Sequence, residues 1–238
     1  RYQLGVSFLH LNNRTIREAL LLSEDNFQRY RSSPLVPFDT TKSSFTNNVQ
    51  EPSVVFRDNH YEVFFLGLQF SQPAQSADSP NQSIELIGLG KAVFDLDFNL
   101  LNVSSAPLRN TAWSVNIPEV SYSAERDEYV LISSTLGDGG EVHHNEYLQL
   151  SNSRDGEDWT SPRAVLKPPG GEGFNGWAAT SPTMLIGAGG ADSIVVFYSA
   201  FSANATSNGG ACDFSTRYGI PVPDPACIYV TLGRAVNP

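Results

Sequence analysis

Three prolines, Pro52, Pro118 and Pro182, stand 66 and 64 residues apart, and each opens the same local pattern. After Pro52 comes the apolar run Val54-Val55-Phe56, then the polar turn Arg57-Asp58-Asn59, then a second run from Tyr61 to Leu66. After Pro118 a short strand leads into a polar turn from Ala124 to Asp127 and a run from Tyr129 to Ile132. After Pro182 the run Met184 to Ile186 gives way to a Gly-rich turn and then to Ile194 through Tyr198. Short apolar runs joined by Asn, Asp or Gly turns are hairpin signatures. A hairpin cannot bury both of its faces alone, so a unit recurring every 65 residues or so has to be covered by its neighbours.

Each hairpin is followed by a polar insert, at 71–82, 135–145 and 200–226, and then by a third strand signal. These signals are SIELIGLGKAVFD (83–95), NEYLQLSNSRDGEDW (145–159) and CIYVTLGRAV (227–236). The pentads Leu-Gly-Lys-Ala-Val (89–93) and Leu-Gly-Arg-Ala-Val (232–236) therefore occupy the same place in two units. Lys91 and Arg234 read as exposed strand positions, and the Ala and Val as packing between sheets. Near the N-terminus RTIREALLLSEDNF (14–27), which also allows a helical reading, matches the closing element: Ser23-Glu24-Asp25 parallels Ser153-Arg154-Asp155, each followed by an aromatic, Phe27 or Trp159. The predicted organisation is one all-β domain with half a blade at 1–35 and blades at about 51–105, 117–165 and 181–236. Packed radially, such units form a β-propeller of four to five blades of mostly antiparallel strands, with a concanavalin-like β-sandwich as the alternative of the same size.

Composition agrees: 19 Gly and 15 Pro in 238 residues favour strands and turns over long helices. A formal charge of -10, with no Lys/Arg cluster above two or three residues, argues against nucleic acid and anionic membranes as partners. No apolar run approaches the roughly 20 residues of a membrane span. The chain begins at Arg1 and its single methionine is Met184, as expected of a mature or trimmed chain whose signal, if it had one, is already gone. Cys212 and Cys227, 15 residues apart around a Pro-rich loop, have the spacing of a disulfide closing a surface excursion. Sequons at Asn13, Asn81, Asn102 and Asn204 fall in predicted turns or loops, and with the cysteines they point to a secreted, extracellular protein.

Pro-Ser-Val-Val-Phe, the polar turn and Tyr-x-x-Phe-Phe, together with Ser153-Arg154-Asp155-Gly156-x-x-Trp159, resemble the blade pattern of the five-bladed β-propeller glycosidases, the arabinanase, xylosidase and invertase-like superfamily. The SRDGEDW segment also resembles the aspartate-box turn of sialidase propellers, one residue shorter between Asp155 and Trp159. The resemblance implies acidic residues at the inner ends of first strands, near the Pro that opens each blade. Glu51, before Pro52, then matches the general acid, whereas the corresponding positions of the next blades hold Ile117 and Ser181, with Glu119 one residue past Pro118. Two carboxylates are needed across a scissile glycosidic bond, roughly 5–5.5 Å apart for retention or about 6.5–9.5 Å for inversion. Glu51 and Glu119 are the candidates. Blades upstream of Arg1 could hold further acids, or the fold could have lost catalysis.

Trp113 and Trp177 each precede a first strand by about five residues, where an indole either stacks on sugar or packs between blades. His143, beside His144 in the insert of the middle blade, is a further substrate-contact candidate against the alternative of a solvated loop. Trp159 reads as a packing anchor and Asp155 as the cap of its turn. No metal-ligand spacing, phosphate loop or Ser-His-Asp pattern is present, and no cofactor is expected. The functional expectation is a secreted carbohydrate-engaging propeller that cleaves glycosidic bonds; the alternative is a non-catalytic glycan-binding or self-assembling extracellular scaffold.

Overall fold

The computed structural model describes residues 2–10, 15–23, 31–34, 48–70, 84–97, 99–135, 146–167, 178–187, 193–203, 215–217, 220–222 and 228–237. Strands β1 (Tyr2–His10), β2 (Thr15–Ser23) and β3 (Arg31–Pro34) form one antiparallel sheet, so residues 15–23 of the stretch that allowed a helix are extended. The second sheet runs in chain order through β4 (Asn48–Arg57), β5 (His60–Phe70), β6 (Ile84–Phe94) and β7 (Leu100–Val103). The third runs through β8 (Asn116–Ser123), β9 (Glu128–Ser134), β10 (Leu148–Ser153) and β11 (Arg163–Leu166). The fourth holds β12 (Ala178–Ile186), β13 (Ile194–Ala203) and, past a small hairpin of β14 (Ser215–Arg217) and β15 (Ile220–Val222), β16 (Ile228–Asn237). Among the described residues no helix is long and apolar enough to cross a membrane.

The sheets are neighbours through their first strands: β1 lies against β4, β4 against β8, and β8 against β12. Each meander then steps outward to exposed last strands, β7 and β11. Middle strands β5 and β9 are buried on both sides. In β9, Tyr129 and Leu131 join Phe64, Leu89, Val115 and Trp159 in a core shared with the preceding sheet. Val130 and Ile132 join Leu148, Met184, Val196 and Tyr198 in a core shared with the following one. A strand buried on both faces shows a continuous apolar run rather than an alternation. Two cores, each shared by consecutive sheets, are the arrangement of propeller blades, whereas a two-layer sandwich has one.

The first strands also break their ladders at equivalent places. Between Gln50, opposite Leu66, and Ser53, opposite Phe64, the pair Glu51-Pro52 faces the single residue Phe65. Ile117-Pro118 faces Ser133 in β8, and Ser181-Pro182 faces Tyr198 in β12. These are β-bulges, and Pro, which has no N–H to give a ladder, is tolerated in them. The residue before each Pro is left-handed, with φ of 55° at Glu51, 47° at Ile117 and 48° at Ser181. A non-glycine residue in that region costs on the order of 1–3 kcal/mol, a strain that gathers where function fixes the backbone.

Candidate functional site

The topology decides which residues share an end of the molecule. The hairpins turn at Asp58-Asn59, at 124–127 and beyond Gly187. The inserts leave from the other end, between Phe70 and Ile84, Ser134 and Leu148, and Ala203 and Ile228. At that end β4, β8 and β12 begin, so the three strained bulges lie on innermost strands toward the end from which the inserts leave.

Glu51 and Glu119 are brought onto adjacent strands, β4 and β8. Glu51 Oε2 is shut off from solvent. Glu119 is partly buried, and burial raises its carboxyl to about 7 from an ordinary 4.5 because the charged form loses its hydration. The Ser53 hydroxyl also reaches that carboxyl and acts the other way, favouring the ion. Ser53 is itself buried on β4, accepting the Val120 N–H at 2.8 Å and lying 3.1 Å from Val120 O. It therefore ties the two inner strands together beside the acid. Ser53 was not anticipated, yet it and Glu119 are both the first residue past a blade-opening Pro, so register alone sets one beside the other's strand.

The strand ends around β8 are joined by buried polar groups. Ser134 Oγ donates to Asn116 O at 3.1 Å, and Thr180 Oγ1 donates to Ser134 Oγ at 3.2 Å, joining β8, β9 and β12. Gln149 Nε2 reaches Ser133 Oγ at 3.3 Å and also Ser114 O. The Ala179 N–H donates to Glu146 O at 3.0 Å, and Glu146 is buried. Such cross-strand bonds hold the inner ends in one arrangement.

Trp113 sits on the loop entering β8, left-handed at φ 59° and 51% exposed. Its N–H donates to Ile87 O on β6 at 2.9 Å, so it stands outward of the two glutamates, toward the insert end of its neighbouring sheet. Asn102, expected in a turn or loop, lies instead on the edge strand β7, where it is exposed and its Oδ1 takes the Val103 N–H at 2.9 Å. Trp177, His143, Cys212, Cys227, Asn13, Asn81 and Asn204 lie outside the described residues. Among the described residues no group of three His, Cys, Asp or Glu could hold a metal ion.

The aspartate-box segment lies at the far end of β10. Asp155 Oδ1 accepts the N–H groups of Glu157 at 2.8 Å and Asp158 at 2.9 Å, which hold its carboxyl below the ordinary range. Gly156 takes the left-handed turn at φ 72°, and Trp159 is buried edge-on against Phe64, 6.0 Å between ring centres. One expectation is corrected here: Lys91 is buried, not exposed. Its Nζ crosses to the next sheet, 2.5 Å from Glu157 and 3.4 Å from Asp155 O, with Glu62 at 3.7 Å. The positive charge is buried because three oxygens surround it.

No protein-family model and no curated protein matches the sequence. Solved structures do. The chain superimposes on an N-acetylgalactosamine deacetylase from F. plautii, in complex with blood group B trisaccharide, with a TM-score of 0.56 and 13% identity, over 99% of this chain and 72% of that one. A B. megaterium levansucrase gives 0.51 and 12% identity over 88% of this chain and 59% of its own. An α-L-arabinofuranosidase from Fusarium graminearum gives 0.50 and 14% over 88% and 57%. The fold is that of the β-propeller glycoside hydrolases. The chain spans less than two thirds of the levansucrase and the arabinofuranosidase.

Proposed function

We propose that this propeller engages carbohydrate at the insert end of its inner strands and hydrolyses glycosidic bonds there, with Glu119 as general acid and Glu51 as the second carboxyl group of the pair. The observation that carries the reading is Glu119 on an innermost strand with its carboxyl raised to about 7, so that much of it keeps its proton at neutral pH. An acid of that kind can protonate the leaving-group oxygen as the bond to the anomeric carbon breaks, while a carboxylate on the neighbouring strand activates water or attacks the carbon itself. This assignment reverses the roles expected from the resemblance, in which Glu51 was the acid.

Leaving groups of different basicity test it. In Glu119→Gln, hydrolysis of alkyl glycosides should fall by about 100-fold or more, while dinitrophenyl glycosides, whose leaving group needs no proton, should be largely spared. Glu51→Gln should lose both. Equal turnover of wild type and Glu119→Gln on alkyl glycosides would sink the assignment.

A second reading, glycan binding without hydrolysis, is favoured by Ile117 and Ser181 at the bulge positions where β4 carries Glu51. A glycan array giving binding and no product on any ligand would select it. We also propose secretion, with glycans at Asn13, Asn81, Asn102 and Asn204 and a Cys212–Cys227 bridge; exposed Asn102 supports the first. A mass unchanged by glycosidase treatment of chain expressed through a eukaryotic secretory route would overturn the glycans.

A further inference from the structure

We infer that a glycan on Asn102 caps the outer edge of the second sheet and keeps its last strand, β7, from pairing with β7 of a second copy of the chain. The inference rests on the chain being N-glycosylated at Asn102, as proposed above.

The last strand of a sheet offers unpaired N–H and C=O groups to any other strand, and charged residues or Pro placed on it are a common protection. The first, third and fourth sheets follow that rule: β3 carries Arg31 and Pro34, β11 carries exposed Arg163, and β16 carries Arg234. β7 reads Leu-Leu-Asn-Val and has no charge. Its leucines stand in water, Leu101 54% and Leu100 38% exposed, with Leu96 at 44% in the turn before them. Leu101 is the extra residue of a bulge between Leu100, opposite Phe94, and Asn102, opposite Val93. Of these four edges, the uncharged one is the one that holds a sequon, Asn102-Val103-Ser104.

The ladder puts Asn102 on the outside. The Ser104 N–H donates to Lys91 O on β6 at 2.9 Å, and in an antiparallel pair the N–H groups of successive residues face opposite ways. The Val103 N–H therefore points away from β6, and Asn102 Oδ1 takes it at 2.9 Å. The side-chain amide of Asn102 thus lies along the open edge, on a group that an incoming strand would need. A glycan on Nδ2 of that amide fills the space beside β7 that a second strand would enter.

The transfer precedes folding. Ser104 Oγ accepts the Lys91 N–H at 2.9 Å and donates to Lys91 O at 3.1 Å, so the folded strand does not offer the sequon hydroxyl to an enzyme. On the unfolded chain Asn102 Nδ2 attacks the anomeric carbon of a lipid-diphosphate oligosaccharide. The N–C bond forms, the C–O bond to the diphosphate breaks, and the amide nitrogen gives up one proton.

The test compares the 238-residue chain, secreted from a eukaryotic host, with Asn102→Gln, which leaves Asn13, Asn81 and Asn204 in place. Peptide masses report whether Asn102 carries a glycan, and light scattering over a rising concentration series reports the molar mass. Wild type should stay at the mass of one glycosylated chain, and Asn102→Gln should rise to twice its own. Asn102→Arg, which gives β7 the charge that the other edges carry, should return to one chain without a glycan. If Asn102→Gln does not fold, wild type from a bacterial host that adds no N-glycan replaces it, with Asn102→Arg from the same host as control. An unmodified Asn102 overturns the glycan reading and the inference with it. A modified Asn102 with Asn102→Gln still a single chain overturns the inference and keeps the glycan. Association that persists in Asn102→Arg places the contact elsewhere and overturns the inference too.

Discussion

The ring of Phe65 lies across Gly90, so close that a β-carbon on Gly90 would fall far inside van der Waals contact with Cε2 and Cζ. Phe65 is the residue that faces the β4 bulge, and Gly90 is its partner on β6. In the fourth sheet Tyr198 faces the bulge and Gly233 is opposite it. In the third the bulge faces Ser133, and the partner is Gln149. The Gly of the LGKAV and LGRAV pentads thus accompanies an aromatic facing the bulge, and where that residue is small the Gly is replaced. Gly90→Ala should cost about 1–3 kcal/mol through overpacking. Urea unfolding should show a smaller loss when Phe65→Ala is present as well; two additive losses would refute the contact.

Lys91 should be the most costly charged residue to remove from the boundary between the second and third sheets. Lys91→Met keeps the bulk but strands Glu62 and Glu157. The loss should be about 2 kcal/mol, below the 3–5 kcal/mol of a fully buried pair because Glu157 is half-exposed. Chemical denaturation measures it, with Glu157→Gln as the milder control. Equal stability of Lys91→Met and wild type would mean that the network contributes nothing.

What the sequence made legible was whatever depends on near neighbours. Apolar runs and turn residues marked β4 with β5, β8 with β9, and β12 with β13, because a hairpin is decided within about 20 residues. The box turn was legible for the same reason, its Asp capping N–H groups two and three residues on. Lys91 and Ser53 were not, since each is set by groups about 65 residues away, on another sheet. The burial of Glu51 and Glu119 was also out of reach. The bulge breaks the simple alternation along the strand, so spacing from Pro does not say that both carboxyls are drawn out of water.

Burial of Glu119 should make stability pH-dependent with a definite sign. Its folded value of about 7 lies above the unfolded 4.5, so the folded chain holds the proton more tightly. The contribution is complete below the unfolded value and is lost as pH rises through the folded one, on the order of 3 kcal/mol in all. Glu119→Gln removes the titration. Its melting temperature should therefore gain on wild type between pH 5 and pH 8; a constant difference across that window would show that Glu119 titrates alike in both states.

Trp113 couples two costs at one position. A left-handed backbone suits Gly, not an indole, and a ring 51% exposed leaves apolar surface in water. A folded chain gains no stability from either, which is the pattern of a residue kept for a ligand. Trp113→Gly relieves the backbone and removes the exposed ring, so it should be as stable as wild type or more so. If the indole is a stacking platform for sugar, the same change should weaken binding of a recognised oligosaccharide about tenfold, or roughly 1.4 kcal/mol. Calorimetric titration and thermal melting on the same sample measure the two together. A destabilised variant with unchanged affinity would make Trp113 a packing residue and remove it from the site.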